Sequence, residues 1–188
     1  MEALFTSLGV VAVAEIGDRT QLLALLLATQ FRRPIPVICG ILVATVANHA
    51  MAALAGEWVG HLLSPAILKW VLGLSFAGMA VWTLIPDKLD RAQAVAPRRG
   101  AFVTTLFAFF LCEMGDKTQI ATAALAARFN VLLPVIAGTT TGMLIANVPA
   151  VLFGHYAGHR INAARIRYVA AAIFAAEAAL TLTGYSFP

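Results

Sequence analysis

The stretch that decides the fold is Glu15–Gln21, which reads EIGDRTQ and returns 98 residues later as EMGDKTQ at Glu113–Gln119. Sliding the chain against itself by this offset aligns the two halves without a gap, so that Gly40 falls on Gly138. Matches spread over about 60 positions indicate an internal repeat. The chain is therefore built from two related halves.

The composition places this repeat in a membrane. The 188-residue chain is 61% hydrophobic and 12% charged, with a mean hydropathy of +0.86, whereas soluble domains are about 45–50% apolar and about 25% charged. This excludes a water-soluble globular enzyme. Cys39 and Cys112 lie in apolar runs and form neither a disulfide framework nor a Cys-x-x-Cys zinc motif. The formal charge of +4 does not indicate a nucleic-acid partner, because the basic residues cluster between apolar runs.

Six apolar runs are long enough to cross a bilayer, which takes about 20 residues. We predict an all-α integral membrane protein with six transmembrane helices, arranged as a first repeat (residues 1–85), a hydrophilic linker (86–100) and a second repeat (101–188). Because three crossings are an odd number, the second repeat enters from the opposite face, an inverted arrangement typical of secondary transporters. The runs cover Ala3–Thr29, Ile35–Ala55, Ala66–Ile85, Ala101–Ala127, Val131–Phe153 and Tyr168–Tyr185.

The basic residues set the orientation, since short loops rich in Lys and Arg stay in the cytoplasm. Nine of them fall on one side of the predicted membrane and two on the other. We therefore expect the linker to be cytoplasmic and both termini to lie outside the cytoplasm. The nine are Arg32, Arg33, Lys88, Arg91, Arg98, Arg99, Arg160, Arg165 and Arg167, and the two are Lys69 and Arg128.

The two motifs put four carboxylates inside predicted spans. An Asp at a helix centre costs about 2.5–3.5 kcal/mol on insertion scales, so a compensating interaction is expected. On a continuous helix, residues three apart share a face, which would place Glu, Asp and Gln of each motif on one stripe. Gly17 and Gly115 between the acids would permit close helix approach or a locally unwound backbone. The candidate metal ligands are Glu15, Asp18, Thr20, Gln21, Glu113, Asp116, Thr118 and Gln119.

Charge and ligand type favour a divalent cation at this site. Four carboxylates against Arg19 and Lys117 leave a charge that one divalent ion would neutralise. Carboxylate, amide and hydroxyl oxygens suit Ca²⁺, Mg²⁺ or Mn²⁺, whereas zinc and copper favour Cys and His. The same carboxylates could exchange the ion for protons. Arg19 and Lys117 are expected to tune the charge of the site or to hold the repeats together. The alternative is a purely structural role, with each acid paired to a cation.

Other polar residues within the predicted spans are weaker candidates. Asn48, His49 and Asn147 fall near the same depth and could add ligands or form hydrogen bonds between helices. His49 aligns with Asn147 in the repeat, which argues against a strict two-fold ligand role for the imidazole. Glu177 aligns with Met79, so it is either a separate proton-relay group or a paired acid.

The doubled Glu-x-Gly-Asp-[Lys/Arg]-Thr motif in a six-helix chain resembles that of the Golgi calcium/manganese cation–proton antiporters and of the bacterial manganese exporters of the Mne type. The resemblance covers almost the whole chain. It implies export of Mn²⁺, or of Ca²⁺ in some members, from the cytoplasm with proton counter-transport. The ion would be a substrate and not a prosthetic group, and the compact size suits a bacterial inner-membrane form. In that family the motif acids form the ion site, and the matching positions are Glu15, Asp18, Thr20, Glu113, Asp116 and Thr118.

Three functions remain open from the sequence. The first is outward transport of Mn²⁺ by alternating access, in which Glu15 and Glu113 alternate between metal ligation and protonation. The second is export of amino acids or other small metabolites, which the excess of acids over central cations disfavours. The third is a non-transporting membrane scaffold or assembly factor. The partners expected for the first are a divalent metal ion, protons and the lipid bilayer.

Overall fold

The computed structural model describes residues 1–85, 100–157 and 163–183 of the chain. All regular structure in these ranges is helical. The predicted linker lies outside the described residues except for Gly100, as do Lys88, Arg91, Arg98, Arg99, Arg160 and the end of the sixth predicted span. The described helices are α1 (Glu2–Glu15), α2 (Arg19–Phe31), α3 (Pro34–Leu62), α4 (Pro65–Thr83), α5 (Ala101–Glu113), α6 (Lys117–Phe129), α7 (Leu132–Ala157) and α8 (Ala163–Thr183).

Three of these helices are long and apolar enough to cross a membrane. They are α3, α4 and the Leu132–Leu152 part of α7. Large apolar side chains cover their outer faces, with Trp58 66% and Leu74 62% exposed. Large apolar side chains exposed in such number are unfavourable in water, and lipid is the environment that covers them favourably. The chain is thus a helical membrane protein.

The number of helices differs from the number of predicted runs, because two runs are each divided in the structure. The run Ala3–Thr29 corresponds to α1 and α2, and the run Ala101–Ala127 corresponds to α5 and α6. Each of these four helices has only 13 or 14 residues. Two of the runs are therefore interrupted helices, and both interruptions fall within the repeated motif.

The repeat is visible in the backbone as well as in the sequence. Arg32 and Asn130, which are 98 positions apart, end α2 and α6 in the left-handed conformation, with φ of 53° and 52°. Their N–H groups donate to the carbonyl oxygens of Ala28 and Ala126, in both cases at 2.9 Å. These bonds satisfy carbonyls that a helix end would otherwise leave without a partner. The two halves therefore end their second helix in the same way.

The two halves interleave. The first and second helices of each half pack against the third helix of the other half, so that α1 and α2 contact α7, while α5 and α6 contact α3. The last helices of the two halves, α4 and α8, pack on each other. Phe76 of α4 and Phe174 of α8 are fully buried in one core cluster, and Phe109 of α5 is fully buried in the other.

Glycines let the first helix of each half approach the third helix of the other half closely. A Cβ atom added to Gly142 of α7 would lie 2.6 Å from the Leu8 carbonyl oxygen of α1, and one added to Gly40 of α3 would lie 2.8 Å from the Thr105 Cβ of α5. Real Cβ atoms do not come so close to other atoms. This tight packing brings the C-terminal ends of α1 and α5 against polar side chains of α7 and α3.

Candidate metal centre

Each motif interrupts its helix. α1 ends at Glu15 and α2 begins at Arg19, and between them Gly17 has a φ of +82°. The second motif does the same, with Gly115 at +76° between α5 and α6. This region of backbone conformation is open to glycine and unfavourable for residues with a Cβ. The expectation that Glu, Asp and Gln share a face of one continuous helix is therefore wrong, and the alternative of a locally unwound backbone is confirmed.

The glutamine that closes each motif stabilises the break. The side-chain Oε1 of Gln21 accepts a hydrogen bond from Gly17 N–H at 2.9 Å, and that of Gln119 accepts one from Gly115 N–H at 2.7 Å. The Gln21 amide also donates to the Ala146 carbonyl of α7 at 2.9 Å. The amide oxygens thus satisfy backbone donors that the helix break would leave without a partner. Their ligation of a metal stays a prediction.

The break also places helix ends beside the acids. Glu15 is the last residue of α1, and Asp18 directly precedes the first residue of α2. Carbonyl groups at the C-terminal end of a helix carry partial negative charge, which favours a nearby cation. Interrupted membrane helices use such ends to bind ions.

Three carboxylates from the two motifs come together. One oxygen each from Glu15, Asp18 and Asp116 lie within 4.8 Å of one another, and all three residues are buried. Among the described residues, this is the group of His, Cys, Asp and Glu side chains whose spacing suits a metal ion. Carboxylate oxygens are the ligands that Ca²⁺, Mg²⁺ and Mn²⁺ prefer. The arrangement can therefore hold a divalent cation chemically.

The cation of each motif reaches the aspartate of the other. Arg19 Nη2 lies 3.0 Å from Asp116 Oδ1, and Lys117 Nζ lies 2.7 Å from Asp18 Oδ1. The Lys117 side chain is 3% exposed and that of Arg19 is 24% exposed. Thr118 donates to Asp116 Oδ2 at 3.4 Å. Two reciprocal ion pairs thus link the motifs and offset part of the cost of burying their charges.

The two motif glutamates have different partners. Glu15 Oε2 accepts from Thr20 of its own motif and from Asn147 of α7, the latter at 3.4 Å, while Oε1 has no hydrogen-bond partner among the described residues. Glu113 lies outside the group of three and is bonded to α3. It accepts from Thr45 at 2.9 Å and from Asn48 at 3.3 Å. Glu15 therefore has an oxygen available toward a ligand, whereas both oxygens of Glu113 are already bonded.

The other polar candidates differ in whether they contact a motif glutamate. Asn48 and Asn147 reach the motif glutamates, as described above. His49 is fully buried and does not belong to the group of three carboxylates, and neither of its ring nitrogens has a hydrogen-bond partner within the described ranges.

Glu177 lies in a separate ion pair. Its Oε2 contacts Arg128 Nη1, which joins α8 to the end of α6. The Arg128 guanidinium also lies over the Phe129 ring, 4.9 Å from the centroid. Of the two roles considered for Glu177, a paired acid is the one that this contact supports.

Sequence reasoning missed Thr45 as a partner of the site. Its hydroxyl bonds Glu113, which is 68 positions away in the chain. A single threonine in an apolar helix commonly bonds its own backbone, so the sequence contains no signal for this contact. The contact of Gln21 with the Ala146 carbonyl could not be predicted from the sequence either, because every residue has a backbone carbonyl.

Comparison with known proteins assigns the family. The sequence model described as divalent cation/proton antiporter GDT1 matches residues 3–91 and 101–186. The chain belongs to the GDT1 family. Both motifs, and with them the three carboxylates, lie within the matched ranges. Members are transporters, and the chain is accordingly a transporter and not an enzyme.

Individual relatives agree with this assignment. A Vibrio cholerae protein named "Putative manganese exporter" is 54% identical over 93% of this chain and 87% of its own length. A GDT1-like protein of Synechocystis is 29% identical over 93% of both chains. GDT1-like protein 3 of Oryza sativa subsp. japonica is 29% identical over the whole chain and 75% of its own length. No solved structure matches the chain.

Proposed function

We propose that this GDT1-family protein exports Mn²⁺ from the cytoplasm in exchange for protons. The observation that carries the proposal is the buried meeting of Glu15, Asp18 and Asp116, which come from both copies of the motif. Arg19 and Lys117 pair with two of these acids, but the four motif carboxylates outnumber the two cations, and a divalent cation would offset the cost of the remaining buried negative charge. Family membership supports a divalent cation and protons as substrates. The name of the Vibrio cholerae relative supports Mn²⁺ in particular, with Ca²⁺ as the second candidate.

The fold that we propose has six membrane crossings in two inverted repeats. In it, α1 with α2 and α5 with α6 each form one interrupted crossing, since each pair has the length of a span of about 20 or more residues. The helices α3, α4, α7 and α8 supply the other four. The reciprocal packing of α1 on α7 and of α5 on α3 supports a two-fold relation between the halves. Three crossings in each half would make the two repeats antiparallel.

The membrane that we propose is the bacterial inner membrane, with both termini outside the cytoplasm. Arg32 and Arg33 follow the first interrupted crossing, and four more cations lie in the segment 86–99. Loops with such an excess of Lys and Arg remain in the cytoplasm. Metal that binds from this side would leave through the extracytoplasmic side, which is the direction of export.

The ligands that we propose are the motif oxygens. Glu15, Asp18 and Asp116 form the centre, because their oxygens already lie together. Glu113, Thr20, Thr118, Gln21 and Gln119 belong to the same two motifs and would complete the oxygen set as the repeats move. Asn48, His49 and Asn147 are second candidates from α3 and α7.

Transport would proceed by alternating access. Cytoplasmic Mn²⁺ binds the deprotonated acids, and the two repeats then rock about the site so that it opens to the other side. Protons from outside displace the ion and return with the carrier. The composition of the site supports this motion, because its three carboxylates come from both halves and a shift of one half against the other would change their spacing.

Flux into proteoliposomes tests the proposal. Vesicles that contain a metal-sensitive dye are compared for Mn²⁺, Ca²⁺ and Mg²⁺, with and without a pH gradient. The wild type should show Mn²⁺ flux that responds to the gradient, and Glu15→Gln with Glu113→Gln should abolish it. Glu2→Gln with Glu57→Gln, which removes two acids outside the motifs, is the matched control and should transport normally. The absence of metal flux in folded wild-type protein would overturn the proposal.

A further inference from the structure

We infer that Lys117 is an internal cation that competes with the transported metal for Asp18. The inference rests on the proposed function, because it concerns the same carboxylate group. Its structural basis is the contact of 2.7 Å between Lys117 Nζ and Asp18 Oδ1. Asp18 is one of the three residues whose oxygens meet, so the ammonium group lies at the edge of the proposed metal centre.

A metal and the ammonium cannot share Asp18 without strong repulsion. A divalent ion binds carboxylate oxygens at about 2.0–2.6 Å, and the ammonium already lies at hydrogen-bond distance from one oxygen of the same carboxylate. The contact is buried, with Lys117 3% and Asp18 0% exposed at the side chain, so water screens the repulsion poorly. Binding of the metal therefore requires Lys117 to withdraw from Asp18.

Lys117 is suited to such movement and Arg19 is not. The ammonium is a compact point charge at the end of a flexible stem, whereas a guanidinium is planar and holds a carboxylate through a fixed fork. Arg19 pairs with Asp116 at 3.0 Å and is 24% exposed. The two cations of the repeated motif thus differ in chemistry and in burial. Lys117 exchanges with the metal, and Arg19 holds Asp116 in place.

The exchange would aid release of the metal. When the ion leaves, Asp18 would otherwise be a buried carboxylate without a counter-charge, which is costly. The returning ammonium removes that cost. Lys117 thereby lowers the affinity for the metal and speeds its transport, compared with an uncharged side chain at position 117.

Metal binding by purified protein tests the inference. The free Mn²⁺ signal in electron paramagnetic resonance gives the dissociation constant of wild type, Lys117→Gln, Lys117→Met and Lys117→Arg. Lys117→Gln and Lys117→Met should bind Mn²⁺ about tenfold more tightly or better, because the opposing charge is gone. In proteoliposomes the same two variants should exchange Mn²⁺ several-fold more slowly. Lys117→Arg keeps the charge and should not gain affinity, and Lys69→Gln, which removes a cation elsewhere, should behave as the wild type.

A second measurement on the wild type keeps the test independent of folding in the variants. Reductive methylation, followed by mass spectrometry, reports how accessible each lysine amine is. Saturating Mn²⁺ should raise labelling of Lys117 several-fold and leave Lys69 unchanged. Labelling of Lys117 that does not respond to Mn²⁺ would overturn the inference, as would folded Lys117→Gln and Lys117→Met proteins that bind Mn²⁺ no more tightly than wild type. Wild-type protein that binds no divalent cation would instead overturn the proposed function itself.

Discussion

At the scale of single residues, the acids of one repeated motif occupy different environments. Asp18 and Asp116 are paired with cations from the opposite motif. Glu15 lies in the group of three carboxylates, and Glu113 is bonded to α3. A sequence repeat therefore does not impose identical roles, because the partners on α3 and α7 are not themselves repeated: Thr45 aligns with Met143.

This difference predicts unequal effects of neutralising the two glutamates. Glu15→Gln should weaken Mn²⁺ binding by at least about 100-fold, because it removes a proposed ligand. Glu113→Gln should weaken binding less, by about 10-fold, because Glu113 lies outside the group of three, and groups beyond the direct ligands contribute about 10–100-fold to metal affinity. Isothermal titration of purified protein measures both, with Glu2→Gln as the control. Equal losses for the two variants would contradict separate roles.

The pair of Arg128 and Glu177 leads to a prediction about stability. Removal of one partner from a fully buried ion pair leaves an uncompensated charge and costs about 3–5 kcal/mol, and this pair should lose less because the Glu177 side chain is 13% exposed. Glu177→Gln and Arg128→Met should therefore each lower the melting temperature. The double variant with both changes should recover most of the loss, because no charge is then left unpaired. Melting temperatures that fall additively in the double variant would show that the two side chains do not act as a pair.

The motif residues could be predicted from the sequence, and their contacts could not. The repeat identified Glu15, Asp18, Glu113 and Asp116 because four acids in apolar runs are exceptional. The partner of each acid depends on which helices pack together, and neither Thr45 nor the Ala146 carbonyl has a sequence signature. Asn48 and Asn147 were found because an amide inside an apolar run is conspicuous.

At the scale of helices, hydropathy predicted the apolar runs but not their interruptions. The run Ala3–Thr29 is apolar on both sides of its polar motif, and hydropathy does not say whether the helix continues through that motif or breaks at Gly17, where φ is +82°. A glycine inside an apolar run indicates either close helix packing or a break in the helix, and both occur in this chain. Gly40 lets α3 approach α5 closely, and Gly17 lies at the break between α1 and α2. The sequence alone therefore allowed either a continuous helix or a helix broken at the glycine. The prediction that Glu, Asp and Gln share one helical face assumed the continuous helix and was wrong.

The helix break predicts a specific penalty for a Cβ atom at Gly115. At φ of +76° an alanine is strained by about 1–2 kcal/mol, even though nothing lies within 4 Å of the added atom. Gly115→Ala should therefore lower the melting temperature by a few degrees and reduce flux. Gly9→Ala is the matched control, since Gly9 is helical and also has nothing within 4 Å. It should be neutral or stabilising, because alanine favours helix. Thermal unfolding with a thiol-independent dye compares the two variants, and equal melting temperatures would show that the break does not require glycine.

At the scale of the whole molecule, the composition predicted a helical membrane protein and the repeat predicted related halves. The interleaving of α1 on α7 with α5 on α3 could not be read from either, because hydropathy does not say which runs are neighbours. The consequence is functional. A site assembled from both halves changes whenever the halves move, which is what alternating access requires.

Inverted repeats predict that the segment 86–99 and the C-terminus lie on opposite sides of the membrane. Three crossings in the second half reverse the side, whereas two or four would not. Alkaline phosphatase, which is active outside the cytoplasm, should be active when fused after Pro188 or after Ser64, and inactive when fused within 86–99. A fluorescent protein that folds in the cytoplasm should give the reverse pattern, because the Lys and Arg residues of 86–99 hold that segment inside. The same side for 86–99 and the C-terminus would exclude three crossings in the second half. Opposite sides with the whole pattern reversed would leave the repeat inverted and overturn only the direction of transport inferred from the basic residues.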